Sequence, residues 1–312
     1  MLSSWHRKRS FEHHVFRQPL KTPNSIKESY PFDGKTFKTK VGPSLHYLDE
    51  GEGAEAPILF LHGNPTWSYF YRKLILRFRS ETRCIAPDHL GCGLSDKPSF
   101  PNYAYDLRGH SENIVDLLDH LEIGRVKLVV HDWGGAIGLT AFRNRTERIE
   151  KIVLLNTAAF PSRNVPKRIL LCRLPILGSF LVRGLNGFAG PATWMATSKS
   201  LPKAVKRGFL HPYSNWRDRV AVWRFVRDIP YEPDHPTLPL LKETEASLNS
   251  YTNTPVLSCW GMKDFCFHSG FLEQWENLWP HMKTHRMEEA GHYLLEDAFE
   301  DCKSKIEPFL LG

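Results

Sequence analysis

The sequence predicts an α/β fold, a mostly parallel central sheet with helices on both faces and a helical cap inserted after the sixth strand. Three observations lead there. Apolar runs of buried-strand length recur at residues 57–61, 83–87, 126–130 and 152–155, and polar turns such as H-G-N-P and H-D-W-G-G end them. Stretches with apolar residues at helical spacing lie between them. Beyond Phe160-Pro161 this alternation stops, and it resumes only at Pro255.

Taken in order, Ser44–Glu50 reads as an early strand with G-E-G-A-E-A-P as its turn. Pro57–Leu61 and Arg83–Pro87 are short buried strands, the second followed by the glycine-rich D-H-L-G-C-G-L-S-D-K-P. Tyr105 to Leu121 is helical, with Ile114, Leu117, Leu118 and Leu121 on one face. Val126–Val130 is a strand, Gly134–Arg143 a helix and Ile152–Leu155 a strand again. Residues 161–245, rich in Arg, Pro and aromatics, show no strand pattern and read as the cap. Pro255–Trp260 is a strand, and one last helix runs from Tyr293 to Leu310. The resulting division is a core of 35–160 and 246–312, a cap of 161–245 and a basic N-terminal arm of 1–34.

With 312 residues, 41% hydrophobic and 24% charged, the chain is long enough to bury a sizeable core. Its six cysteines, at 84, 92, 172, 259, 266 and 302, form no C-x-x-C pair. That spacing speaks against a disulfide framework or a zinc site and for a reduced, cytoplasmic setting. The basic N-terminus has no apolar run behind it, so it does not read as a secretory signal. The most apolar span, Ile169 to Phe188, is interrupted by Arg173, Pro175 and Arg183. A spanning helix needs about 20 mostly uncharged residues, so no transmembrane segment is expected.

The formal charge of +7 is uneven. Between Pro161 and Pro230 thirteen Lys or Arg face only Asp218 and Asp228, a net +11 that leaves −4 for the rest. A solvated basic face is the ordinary reading. The sharper ones are an anionic substrate, a membrane surface, an acidic partner protein, or self-association into a homo-oligomer. Nucleic acid is excluded, since no binding motif accompanies the charge.

Polar residues at four strand ends carry the chemistry: His62-Gly63-Asn64-Pro65-Thr66, His131-Asp132-Trp133-Gly134-Gly135, Trp260-Gly261-Met262-Lys263-Asp264 and Ala290-Gly291-His292. Separately, Asp132 reads as a helix cap, Trp133 as core, Asp264 as a turn residue and His292 as a capping histidine. Together they run nucleophile, acid, histidine, the order of an α/β-hydrolase. Asp132 stands at the elbow where a serine is usual, with Gly134 two residues on; Val130 replaces the small residue usual two positions before. An aspartate is already ionised at neutral pH. It attacks a polarised saturated carbon and forms an alkyl ester. His292 then serves as general base toward water, Asp264 orients it, and the backbone N–H groups of Asn64 and Trp133 receive the oxyanion. The Trp133 indole and the Asn64 amide are neutral donors for a departing anion.

At these residues the chain resembles the haloalkane dehalogenase family of α/β-hydrolases. H-G-N-P-T-W-S-Y-F-Y-R, P-D-H-L-G-C-G-L-S-D-K-P, V-V-H-D-W-G-G-A-I-G, G-M-K-D and A-G-H-Y carry the resemblance. It implies Asp132 as nucleophile, His292 as base, Asp264 as acid, and Asn64 with Trp133 as the halide-stabilising pair. One branch of the family places a Glu after the strand ending near Leu155, where this chain has Asn156-Thr157-Ala158. The later Asp264 combined with Asn64 and Trp133 resembles the third branch, which includes the β-lactone decarboxylases of olefin biosynthesis.

The first expectation is therefore hydrolytic dehalogenation of a small apolar haloalkane to alcohol and halide ion, with no cofactor and no metal. The alternative is decarboxylation of a β-lactone to a long-chain alkene, for which I-L-L-C-R-L-P-I-L-G-S-F-L-V is either a helix core or the lining of an acyl tunnel. Epoxide hydrolases are a further alternative. They need tyrosines in the lid, and Tyr213 and Tyr231 are the candidates. A non-catalytic binding module on the same fold is disfavoured, because every catalytic residue is present.

Overall fold

The apolar runs become the middle of one sheet. In the computed structural model, which describes residues 24–53 and 55–312, eight strands pair in the order β1-β2-β4-β3-β5-β6-β7-β8. They are β1 (Lys35–Lys38), β2 (Ser44–Glu50), β3 (Ile58–Leu61), β4 (Cys84–Pro87), β5 (Val126–Asp132), β6 (Ile149–Thr157), β7 (Val256–Gly261) and β8 (Lys283–Met287). β2 pairs antiparallel with both β1 and β4, and β3 through β8 are parallel throughout. Residues 1–23, most of the expected basic arm, lie outside the described residues.

Strand residues alternate between two apolar layers, as the two-residue period of a strand requires. Leu59, Leu61, Leu128, Val130, Ile152 and Leu154 face one layer, with α2 (Leu107–His120) and α3 (Trp133–Phe142) packed there. Ile58, Phe60, Val129, Val153, Leu155 and Leu257 face the other, where α1 (Arg72–Phe78) packs. Such continuous burial on both faces is what parallel strands covered by helices need.

Two strands and one helix break differ from the sequence reading. β1 (K-T-F-K) and β8 (K-T-H-R-M) are edge strands with few buried positions, so they carry no apolar run to announce them. The expected single C-terminal helix is two, Leu294–Asp297 and Phe299–Leu311, with Ala298 out of helical conformation between them. Asp297 explains the break: its carboxylate accepts from the N–H groups of Gly291, Ser198 and Lys199 and is held toward the cap.

Between β6 and β7 the chain is helical: α4 (Lys167–Arg173), α5 (Pro175–Ser179), a π-helical turn (Phe180–Gly184), α6 (Ala189–Met195), α7 (Lys203–Leu210), α8 (Val220–Asp228) and α9 (Leu238–Ser247). Ile169, Cys172, Val182, Tyr213, Val222 and Val226 form a small cluster of their own. α9 instead joins the first sheet layer through Leu240 and Leu241. No helix among the described residues is long and apolar enough to cross a membrane.

Asp228, at the end of α8, ties this segment to the sheet side. Its carboxylate accepts from Leu107 N at the start of α2 (2.8 Å) and from the Thr237 hydroxyl (2.5 Å). Burial outweighs both bonds and pushes its pKa up to about 7. A carboxyl that keeps its proton longer folded than unfolded loses stability as pH rises from the ordinary carboxylate range to about 7. Asp228→Asn keeps both contacts without the titration. Urea unfolding at stepped pH is expected to show a smaller loss of stability over that interval than the wild type shows.

Candidate active site

β5 ends in a turn that ordinary residues avoid. Asp132 has φ 52° and ψ −126°, and the pairing with β6 shifts register between His131 and Asp132. This strained elbow lifts the side chain above the strand ends while α3 begins at the next residue. Two glycines make the geometry possible. A Cβ on Gly134 would stand 1.9 Å from the Leu61 carbonyl oxygen, so α3 approaches β3 only because none is there. A Cβ on Gly63 would stand 2.1 Å from Asp132 Oδ1, so the loop after β3 closes on the carboxylate for the same reason. The Thr157 hydroxyl donates to the Asp132 carbonyl (2.5 Å) and braces the turn from β6.

The Asp132 carboxylate is divided between two tasks. Oδ1 accepts from Asn64 N at 2.6 Å, while Oδ2 lies 3.7 Å from His292 Nε2. Burial raises the Asp132 pKa, and His292 with the N–H groups of Asn64 and Trp133 opposes that rise. His292 Nδ1 is 2.6 Å from Asp264 Oδ2, and Asp264 Oδ1 accepts from Cys266 N at 2.7 Å. Burial disfavours the imidazolium, but the charges of Asp264 and Asp132 outweigh it and hold the His292 pKa above its ordinary value. The His292 ring also lies nearly parallel to Phe267, and His131 Nε2 donates to its backbone carbonyl (2.9 Å).

Sequence reasoning named Asp132, Asp264, His292, Asn64 and Trp133, and the fold brings all five to one place. Asp132, His292, Asn64 and Trp133 line a single cavity of about 440 Å³, and Asp264 stands fully buried behind His292. The remaining walls are mostly apolar, from Phe160, Ile169, Phe188, Val226 and Phe271 among others. One of the two Asn64 amide hydrogens goes to the Val222 carbonyl on α8 (3.1 Å); the other has no acceptor among the described residues. The Trp133 ring packs on Phe225 of the same helix.

Some residues were not foreseen. Asn156, noted in the sequence only for not being an acid, bonds both the N–H (2.7 Å) and the carbonyl (3.0 Å) of Gly261. It thereby fixes the strand end from which the Asp264 loop departs. The two lid tyrosines that an epoxide would require are not at the cavity. Tyr213 is buried and donates to the Thr66 carbonyl, and Tyr231 borders a separate depression beside Pro161 and Glu232. The run Ile169–Val182 is mainly neither core nor tunnel: Ile169 and Cys172 reach the cavity and Val182 is buried, but Leu171, Leu174, Ile176, Leu177 and Phe180 are exposed.

The chain is similar to known proteins over most of its length. The family model for the α/β-hydrolase fold matches residues 56–181. The cis-3-alkyl-4-alkyloxetan-2-one decarboxylase of Shewanella oneidensis is 38% identical over 279 residues, 88% of this chain and 87% of that one. Haloalkane dehalogenase 2 of Mycobacterium tuberculosis is 32% identical over 276 residues, 86% and 92% of the two chains. Among solved structures, a haloalkane dehalogenase from Agrobacterium tumefaciens superposes with a TM-score of 0.80 at 23% identity, covering 91% of this chain and 98% of that one.

The elbow predicts a cost. Gly134→Ala forces a methyl group onto the Leu61 carbonyl and is expected to destabilise the fold by about 3 kcal/mol, the upper range of overpacking. Chemical denaturation measures it. Gly124→Ala, where an added Cβ meets nothing within 4 Å, is the control and is expected to change stability far less.

Proposed function

The chain belongs to the haloalkane dehalogenase family of α/β-hydrolases, and from that premise we propose that it is a β-lactone decarboxylase working through an ester on Asp132. The observation that carries this reading is the 38% identity, over nearly the whole chain, to a protein named as an oxetanone decarboxylase, against 32% to a dehalogenase. It reverses the order in which the sequence places the two reactions. The substrate class is an oxetan-2-one with alkyl groups on its two saturated ring carbons, and the apolar cavity suits such groups.

Asp132 Oδ2 attacks the ring carbon bonded to the ring oxygen, from the side opposite that oxygen. The carbon–oxygen bond breaks, and the released carboxylate takes the electron pair. The second Asn64 amide hydrogen and the Trp133 indole N–H are donors for that carboxylate. Backside attack leaves the carboxylate-bearing bond antiparallel to the new ester bond. Loss of carbon dioxide then sends its electron pair into a carbon–carbon double bond and expels Asp132 as carboxylate. Lactone becomes alkene and carbon dioxide, Asp132 is restored, and no water or net proton enters. His292, held toward imidazolium by Asp264 and Asp132, stabilises the departing Asp132 charge. Asp264 orients it, the Asn64 N–H holds Oδ1 throughout, and the Trp133 N–H supports the same carboxylate.

We propose residues 161–245 as the cap, the remainder from residue 35 as the core, and these five residues as the working site. The second reading, hydrolysis of haloalkanes, is favoured by the dehalogenase relative and uses the same first step with halide as leaving group. There the ester has no carboxylate to lose, and His292 must deprotonate a water instead.

Inversion followed by antiperiplanar loss preserves geometry, so a cis-3,4-dialkyl lactone is expected to give the cis alkene, read by gas chromatography. Asp132→Ala is expected to lose activity by roughly 10⁴-fold. Halide release from bromoalkanes without alkene from the lactone would reject decarboxylation as the activity. His292→Phe incubated with a bromoalkane is expected to gain the mass of the alkyl group on Asp132, visible in a peptide map, if the shared first step occurs.

A further inference from the structure

The cap carries an apolar face that the fold leaves uncovered. Leu171, Leu174, Ile176, Leu177, Phe180 and Leu185 are all exposed, Ile176 at 87%. They lie on α4, α5, the π-helical turn and the residues that join and end them, so one short stretch of chain presents them all. α4 is two-sided, with Ile169 and Cys172 toward the cavity and Leu171 toward solvent. Trp216 extends the face. Its ring lies beside Phe180 and Gly184, with the Arg183 guanidinium 4.3 Å from its centre. Trp194 lines the cavity yet is 64% exposed, so the apolar lining of the cavity runs out to the surface beside α4. Exposed apolar surface of this extent, rimmed by charge, marks an interaction site.

The charge selects the occupant. Residues 163–217 hold ten Lys and Arg and no Asp or Glu. Lys167, Lys203, Lys206, Arg207 and Arg217 make no ion pair among the described residues. A second copy would bring the same charge to the contact, and the first 23 residues, with five Lys or Arg to one Glu, are of the same sign. Neither is complementary. An anionic bilayer is: aliphatic and tryptophan side chains insert at the headgroup boundary while Lys and Arg meet the phosphates.

We propose that this face docks the enzyme on an anionic lipid surface, with Ile176 and Phe180 entering the acyl boundary and the cavity mouth by Trp194 turned toward the lipid. The inference does not depend on which electrophile the cavity takes. It offers a route by which a water-insoluble substrate reaches Asp132 without crossing bulk water.

Flotation of the full chain with phosphatidylcholine vesicles, alone or containing one third phosphatidylglycerol, tests it. Binding is expected with the anionic vesicles, weaker by at least tenfold with neutral ones, and reduced at high salt. Ile176→Asp, at a site too exposed to disturb folding, is expected to lower anionic binding at least tenfold with an unchanged circular dichroism spectrum and melting temperature. Bromine on the upper acyl chain is expected to quench tryptophan emission in the wild type and not in this variant. Absence of binding at low salt, or binding indifferent to Ile176→Asp, overturns the proposal. Capture on immobilised polyglutamate without vesicle binding also overturns it and makes the partner an acidic protein.

Discussion

An ionised carboxylate held against an apolar cavity is the constraint on which the rest of this structure turns. Removing such a charge from water costs several kcal/mol unless donors and an opposite charge replace the solvent. Asp132 obtains them from Asn64 N–H, Trp133 N–H and His292. Each of these makes a demand of its own. The two N–H groups converge only if the chain turns sharply at Asp132 and α3 starts at once, and that requires Gly134 against Leu61. His292 is held toward its charged form by Asp264 as well as by Asp132, and Asp264 is placed by a strand end that Asn156 fixes from the neighbouring strand. One buried charge thus dictates the contents of four strand ends.

This is why the site was legible in the sequence while parts of the fold were not. The demands fall on residue types, an Asp before Trp-Gly-Gly, an Asn after His-Gly and an Asp and a His at later strand ends, and residue types are what a sequence displays. The sheet centre was legible for a related reason, since strands covered on both faces must be apolar throughout. Edge strands β1 and β8 obey no such rule. The division of the last helix depends on Asp297 reaching N–H groups in another segment, and no local pattern encodes that. The run Ile169–Val182 shows the opposite limit. Its apolar residues are plain in the sequence, but composition does not say whether protein or solvent faces them. Only packing separated Ile169 and Val182 from Ile176.

The helical segment between β6 and β7 is tied to the candidate site as well as lining it. Asn64 spends one amide hydrogen on the Val222 carbonyl, and Trp133 packs on Phe225, so α8 orients both side chains that we propose as donors to a departing anion. A change in how α8 sits would therefore alter the stabilisation of the leaving group without touching Asp132, Asp264 or His292. On the proposed reading, specificity between leaving groups is open to tuning from α8 while Asp132 and its partners stay fixed.

On the proposed reading, that separation bears on how one constellation could serve either of two reactions. A plain alkyl ester on Asp132 is a dead end until water arrives, because nothing in the alkyl group can return electrons to the bond. A lactone-derived ester carries its own electron source, the carboxylate on the adjacent carbon. Forming either ester removes the Asp132 charge and with it one of the two influences that raise the His292 pKa. For hydrolysis that change is productive, since it shifts His292 toward the neutral imidazole that must take a proton. For fragmentation the remaining influence, Asp264, is the important one: it keeps His292 disposed toward the imidazolium that stabilises Asp132 as it leaves. The outcome then depends on whether water reaches the ester before carbon dioxide departs. On the proposed reading, walls of apolar side chains around the ester favour the fragmentation, and they do so without any change to the residues that make the ester.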